Sequence, residues 1–153
     1  MAISKEIGLD CKAYYNTATN ASPTWVEITR VKDLDLELGS NEAGPITSRS
    51  SNFEKFASGL RTLSVNFGYD FIGGTDTVYL ALNAAWLAGT VTQYAFFDGA
   101  IATAGRQGLR MYGVITSLNM SQPLEDGLTV DVTIRPAVFD ESGIIEPTWP
   151  VTS

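Results

Sequence analysis

Thr75-Asp-Thr-Val-Tyr-Leu-Ala-Leu-Asn-Ala-Ala-Trp-Leu-Ala-Gly89 is the one convincing helix in a chain otherwise punctuated like an all-β protein. Gly73 and Gly74 precede it, and Thr75 or Asp76 can cap the free N–H groups of the first turn, where Asp76 also suits the positive end of the helix dipole. Gly89 stands where a helix leaves through a left-handed residue. Alanines and leucines, all strong helix formers, fill the interval. Val78, Ala81, Leu82, Ala85 and Trp86 form one apolar stripe, expected to cover the protein's own sheet. Tyr79, Leu80 and Leu87 put further apolar surface elsewhere on the helix. A helix apolar on more than one side is covered on more than one side. At 15 residues, 75–89 is shorter than the roughly 20 needed to span a bilayer. A sheet or a neighbouring subunit is therefore the expected cover.

The remaining segments read as strands. Cys11 to Asn16 alternates, with Cys11 expected inside, and an extended segment resumes at Trp25, Val26 and Ile28. In 31–38, Leu34, Leu36 and Leu38 alternate with Asp33, Asp35 and Glu37, which predicts a strand with leucines inward and carboxylates outward. Leu63, Val65, Phe67 and Tyr69 repeat that pattern, while Tyr94 to Phe97 is apolar throughout and so should be buried on both faces. Leu109 to Ile115 alternates, then changes phase before Leu118 and Met120. One extra residue near Thr116 or Ser117 produces that change, as a β-bulge does. Pro123-Leu-Glu-Asp-Gly127 is a turn signal, and Leu128, Val130, Val132 and Ile134 form the inner face of the return strand.

The interval 39–58 is long and polar, with Gly44-Pro45 and a Thr/Ser/Arg/Asn run, and reads as a long inter-strand loop. Residues 1–10 read as an N-terminal arm, and 139–153 as a C-terminal arm with apolar anchors. The whole is one domain over 1–153, with about seven or eight strands and one helix.

Composition narrows the function. Hydrophobic content of 44% and charged content of 18% fit a folded domain, and a net charge of −7 opposes general binding to nucleic-acid phosphates. No apolar run follows a basic region in Met1 to Gly8, so no secretory signal is expected and assembly would begin in the cytoplasm. The lone Cys11 leaves no intramolecular disulfide or cysteine zinc site. The chain has no histidine, removing the commonest general base, metal ligand and triad member. No phosphate-binding glycine loop or nucleophile elbow is present. Asp33-Leu-Asp-Leu-Glu-Leu-Gly39 spaces carboxylates as calcium loops do, but its glycine falls one place late and Gly44 stands where the twelfth-position Glu belongs. The expectation is no enzyme, no cofactor and no metal.

Taken in order, the elements resemble the tail-tube (major tail) proteins of long-tailed bacteriophages. The resemblance runs from about Trp25 to Trp149. It is carried by Trp25-Val-Glu-Ile, Val31-Lys-Asp-Leu-Asp-Leu-Glu-Leu38, Thr47-Ser-Arg49, Gly59-Leu60, the Ala/Leu/Trp helix and Phe97-Asp-Gly99. Gly105-Arg-Gln-Gly108, Asn119-Met-Ser-Gln-Pro-Leu-Glu125, Val130-Asp-Val-Thr-Ile-Arg-Pro136 and Pro147-Thr-Trp149 complete it. Each piece is common alone; their order and spacing carry the likeness.

The resemblance implies a two-sheet β-sandwich or barrel with one helix, closing into hexameric rings that stack around a tape-measure protein. Tail initiator and terminator proteins would be further partners, and the tube, in the virion tail, would conduct viral DNA without specific binding or a membrane. The lumen-facing candidates are Thr129, Asp131 and Thr133 with Ser117, Asn119 and Ser121, and in second place Asp33, Asp35 and Glu37. Arg49, Phe53, Glu54 and Phe56 are the inter-ring candidates in 39–58, and Tyr79, Leu80 and Leu87 the inter-protomer candidates on the helix. Two other readings compete: the tube of a contractile tail or secretion-like apparatus, and a carbohydrate-binding β-sandwich using Trp25, Trp86 and Trp149.

Overall fold

The computed structural model describes residues 11–19, 21–46, 52–73, 76–122, 124, 127–137 and 147–152. Among the described residues, seven strands and one helix follow in the order β1 (Lys12–Asn16), β2 (Trp25–Glu27), β3 (Val31–Ile46), β4 (Lys55–Asp70), α1 (Thr77–Ala88), β5 (Thr92–Phe97), β6 (Gly108–Ser121) and β7 (Thr129–Pro136). All strand pairs are antiparallel, in one sheet ordered β2-β1-β5-β6-β7-β4-β3.

One sheet provides both layers by rolling over on itself. β5 and β4 are separated by β6 and β7, and strands lie about 4.8 Å apart, so a flat sheet would hold them about 14 Å apart. Yet the rings of Phe96 on β5 and Phe67 on β4 approach to 6.5 Å between centroids. The core between the layers is made from alternate residues: Val65, Phe67 and Tyr69 of β4, Val130, Val132 and Ile134 of β7, Tyr94 and Phe96 of β5, and Leu109, Met111 and Ile115 of β6. Burying these side chains supplies the main stabilising term, about 1.5–3 kcal/mol for each large one.

The phase change in β6 is a bulge. Ile115 pairs with Ile134 and Ser117 with Thr133, leaving Thr116 as the extra residue. β5 is buried from Gln93 to Phe97 on both faces, as its unbroken apolar run requires. Gly108 opens β6 at a place where a Cβ would stand 2.0 Å from the Phe96 carbonyl oxygen, so only glycine lets β6 lie this close to β5.

Several expectations are corrected. The interval 39–58 is mostly strand rather than loop: β3 runs to Ile46 and β4 starts at Lys55, with Gly39↔Thr62, Ser40↔Arg61, Glu42↔Ser58 and Ala43↔Ala57 in register. In its strand portions, 39–46 and 55–58, the polarity reflects solvent on both faces of a two-stranded ribbon. Leu38 is exposed because β3 has by then passed the end of the core, and Cys11 is exposed just ahead of β1. Asp33 leaves the row it was expected to share with Asp35 and Glu37. It adopts φ 47° in a bulge, where Lys32 pairs with Gly68 and Asp35 with Asn66, so Lys32 takes its place on that face.

The proposed C-terminal arm folds back at its described end. Thr148 N–H donates to the Arg110 carbonyl at 2.8 Å and Arg110 N–H to the Thr148 carbonyl at 2.9 Å, so the segment 147–152 lies along β6 where β7 has ended at Pro136. The N-terminal arm 1–10 and residues 139–146 fall outside the described residues.

Candidate assembly surfaces

The helix start is fixed by one buried carboxylate. Asp76 is the N-cap, accepting from the Tyr79 N–H at 3.0 Å, from the Ile72 N–H at 3.3 Å and from the Tyr69 hydroxyl. Arg30 stands 3.9 Å away. Burial alone would raise the Asp76 pKa, but the hydrogen bonds from Tyr69, Tyr79 and Ile72, with the charge of Arg30, outweigh it and hold the carboxyl below its ordinary value. Tyr69 moves the other way, pushed up to about 12 by burial and by its bond to Asp76, against the opposing pull of Arg30. At the other end Gly89 takes φ 64° and its N–H returns to the last helical carbonyls.

α1 buries Leu82 and packs Val78, Tyr79 and Ala85 against the core. Tyr79 therefore belongs to the inner side, its ring edge-on to Phe71 at 4.7 Å. Trp86, expected inward, is 45% exposed, whereas Leu80 at 57% and Leu87 at 70% lie outward as an apolar back.

Strands β6, β7, β4 and β3 share one continuous polar face. Antiparallel partners point to the same side, so register gives its rows. Ser117, Thr133, Asn66 and Asp35 form one row, closed by a 2.9 Å bond from the Thr133 hydroxyl to the Asn66 side-chain oxygen. Asn119, Asp131, Gly68 and Lys32 form the next, then Ser121, Thr129 and Asp70. Arg135, Ser64 and Glu37 continue the face in the other direction. The two sets of lumen-facing candidates, Asp33 excepted, are thus brought together on one surface. Lys32, Asp70, Asn66 and Arg135 belong to it too: Asn66 and Arg135 follow from the alternation of their own strands, whereas Lys32 reaches this face only through the bulged β3–β4 register. Four carboxylates oppose two cations on it, and Lys32 is paired with Asp70 at 2.9 Å.

This face ends on two strand edges. β3 is terminal in the sheet order. At the other side β5 stops pairing with β6 at Thr92↔Gly113, so from Val114 to Ser121 β6 has β7 as its only strand partner among the described residues. Edges of this kind are templates for pairing with another chain.

Beyond Leu63 and Leu38 the β3–β4 ribbon projects from the body, carrying exposed Leu60, Phe56 and Phe53 with Glu54 beside them. Arg49, the remaining inter-ring candidate, lies outside the described residues. The three tryptophans stand on three elements: Trp25 on β2, Trp86 on α1 and Trp149 in the C-terminal segment. The Arg110 guanidinium covers the Trp25 ring at 5.3 Å and Trp149 donates to Gln107 at 3.0 Å, so they do not make a common sugar-stacking platform. No helix among the described residues is long and apolar enough to cross a membrane.

No family model matches the sequence. No curated protein matches it either. Solved structures do. The SPP1 tail tube superposes with a TM-score of 0.73 at 14% identity, over 96% of this chain and 80% of that one. A chain of the tail of an empty gene transfer agent particle, determined with C6 symmetry, gives 0.67 at 12% identity over 97% and 100%. A chain of the anti-feeding prophage baseplate gives 0.54 at 8% identity over 92% and 91%. The rolled seven-stranded sheet with its single helix is the tail-tube fold.

Proposed function

We propose that this chain is the repeating subunit of a viral tail tube, a structural protein and not an enzyme. The observation that carries the proposal is the polar face of β6-β7-β4-β3, which runs unbroken to an open strand edge on each side. Copies placed side by side can pair the β3 edge of one with the β6 edge of the next, from Val114 to Ser121. A heterologous contact of this kind makes a ring when its rotation closes. The six-fold symmetry of the similar gene transfer agent tail supports six copies per ring.

The shared face becomes the lumen. Thr129, Asp131, Thr133, Ser117, Asn119, Ser121, Asp35 and Glu37 line it, hydroxyl-rich and net acidic, so phosphates are repelled and DNA slides instead of sticking. A tape-measure protein would occupy the lumen before the genome, and initiator and terminator proteins would cap the ends. The β3–β4 ribbon, with Phe53, Glu54, Phe56 and Arg49, would bridge successive rings, and Leu80 and Leu87 would meet a neighbouring protomer. The finished protein would reside in the virion tail after assembly in the host cytoplasm. Likeness to the baseplate chain supports a second reading, the tube of a contractile or secretion-like apparatus, which uses the same ring. Negative-stain microscopy of the purified protein tests both: rings or hollow tubes are expected, and a protein that stays monomeric at high concentration would refute them.

A further inference from the structure

The two strand edges that meet in the ring carry enough detail to say which residue faces which. β6 is antiparallel to β7, β7 to β4 and β4 to β3, so β3 runs opposite to β6. Rotation about a ring axis keeps each strand's direction along that axis. The joint between copies is therefore antiparallel, like every pair inside the subunit, and its paired residues point to one side. Polar side meets polar side, and apolar side meets apolar side, only when the joint slips by an even number of residues.

The row Ser117, Thr133, Asn66, Asp35 measures that slip. With no slip, Asp35 of one copy faces Ser117 of the next, Glu37 faces Val114, and Leu38 falls at Gly113. That place is taken, because Thr92 of β5 pairs with Gly113. β3 does not turn aside before it, since its register with β4 holds through Ser40. Asp35 must therefore move toward Ser121. A slip of four residues sets Asp35 on Ser121, Glu37 on Asn119 and Gly39 on Ser117. On the other side it sets Leu36 on Met120 and Leu38 on Leu118. Asn41 then reaches Val114, the last residue of β6 before β5 begins, and β3 changes its register with β4 at that point, between Ser40 and Glu42. A bulge bends a strand, and this one carries the ribbon clear of β5.

Barrel geometry selects the same slip. Tilt in a closed barrel follows from shear relative to strand number, and one residue of shear per strand tilts strands by about 36°. Each copy contributes four strands to the shared face, so four residues per joint give that ratio. Slips of two or six residues tilt the strands by about 20° or about 48°, outside the roughly 35–45° of closed barrels. A slip of six also puts Ser40 on Leu118.

We infer that the ring joint has this one register, with Glu37 beside Asn119 of the next copy on the lumen side and an apolar seam of Leu36, Leu38, Leu118 and Met120 behind it. The seam explains why Leu38 is 63% exposed and the other three half-buried in a single copy. The inference rests on the tube reading and adds to it the residues that close the ring.

Three double variants on a Cys11→Ser background test it. Each joins Glu37→Cys to Ser117→Cys, Asn119→Cys or Ser121→Cys, all on the polar face and outside the core. Directly opposed residues stand about 5 Å apart, within disulfide reach, whereas diagonal ones stand about 7–8 Å apart, beyond it. Oxidation of assembled rings should give a ladder of covalent multimers, up to the full ring, with Asn119→Cys and no more than traces with the other two. A ladder of equal or greater yield from Ser117→Cys or Ser121→Cys would overturn the register. Rings seen by microscopy that give no ladder from any of the three would overturn the joint itself. Failure of the parent to form rings at all would overturn the tube reading beneath it.

Discussion

β4 is one unbroken strand living in two environments. From Val65 to Asp70 it pairs with β3 on one side and β7 on the other, with Val65, Phe67 and Tyr69 almost completely buried. From Lys55 to Thr62 every residue is exposed, and β3 is its only strand partner among the described residues. Hydrogen bonding to β3 continues through both halves, so backbone pairing does not distinguish them; the loss of a covering layer does. A two-stranded ribbon is marginal in water without a packed face, yet this one carries Leu60, Phe56 and Phe53 outward. The body half has a layer to fold against, and the projecting half leaves its apolar side chains uncovered within the subunit.

Breaking that contrast starts in the body. Ile134→Ala removes a fully buried side chain opposite Val65 and should destabilise the monomer by about 2–5 kcal/mol. Leu60→Ala in the projecting half should change monomer stability by less than about 0.5 kcal/mol. Chemical denaturation of both variants measures the difference. Comparable losses at the two positions would mean that the ribbon packs on its own subunit.

The next largest effect is at Asp76, which ties the body half of β4 to α1 through Tyr69. Asp76→Ala loses the helix cap, at about 1–2 kcal/mol, and leaves the buried Tyr69 hydroxyl without its acceptor, at about 1–3 kcal/mol. The sign with pH follows from the lowered Asp76 pKa. The unfolded state binds this proton more readily, so the contribution is present above the ordinary carboxylate pKa and fades as pH falls through the lower folded value. Tyr69 contributes oppositely: with its folded pKa near 12, its share is intact below the ordinary tyrosine value and lost as pH climbs toward 12. Asp76→Asn should therefore flatten the acid limb of the stability curve, and an unchanged acid limb would remove Asp76 from the account.

How much of this was legible depended on what each pattern encodes. Alternation at Val130, Val132 and Ile134, the phase slip at Thr116 and the caps Asp76 and Gly89 are local properties, each fixed by neighbours along the chain, and all were readable. Leu38 and Trp86 were misassigned because periodicity gives a face and not whether anything covers it. The interval 39–58 was misread for a related reason: strands exposed on both faces lose the alternation by which strands are recognised. The polar face was legible only in halves. Asp131 and Asp35 each showed in its own strand, but their meeting through Asn66 and Thr133 is a matter of β3–β4–β7 register, which no single strand carries.

That face supplies the smallest effect on folding and the sharpest contrast between stability and assembly. Asp35 and Asp131 are exposed, on neighbouring rows of strands whose opposite faces hold the core. Replacing both with Lys leaves the core untouched, so stability should shift by less than about 1 kcal/mol, and ring closure through the β3 and β6 edges should persist. What changes is the sign of the surface: each swap moves the charge by two units, giving a face that was net acidic a net cation excess in every subunit of the ring. Phosphates would then be held by counterion release instead of being repelled. Genome ejection from particles carrying Asp35→Lys and Asp131→Lys should slow, and more at low salt than at high, because screening weakens the attraction. Ejection at the parental rate at both salt concentrations would place these carboxylates outside the channel and turn the polar face toward outer solvent.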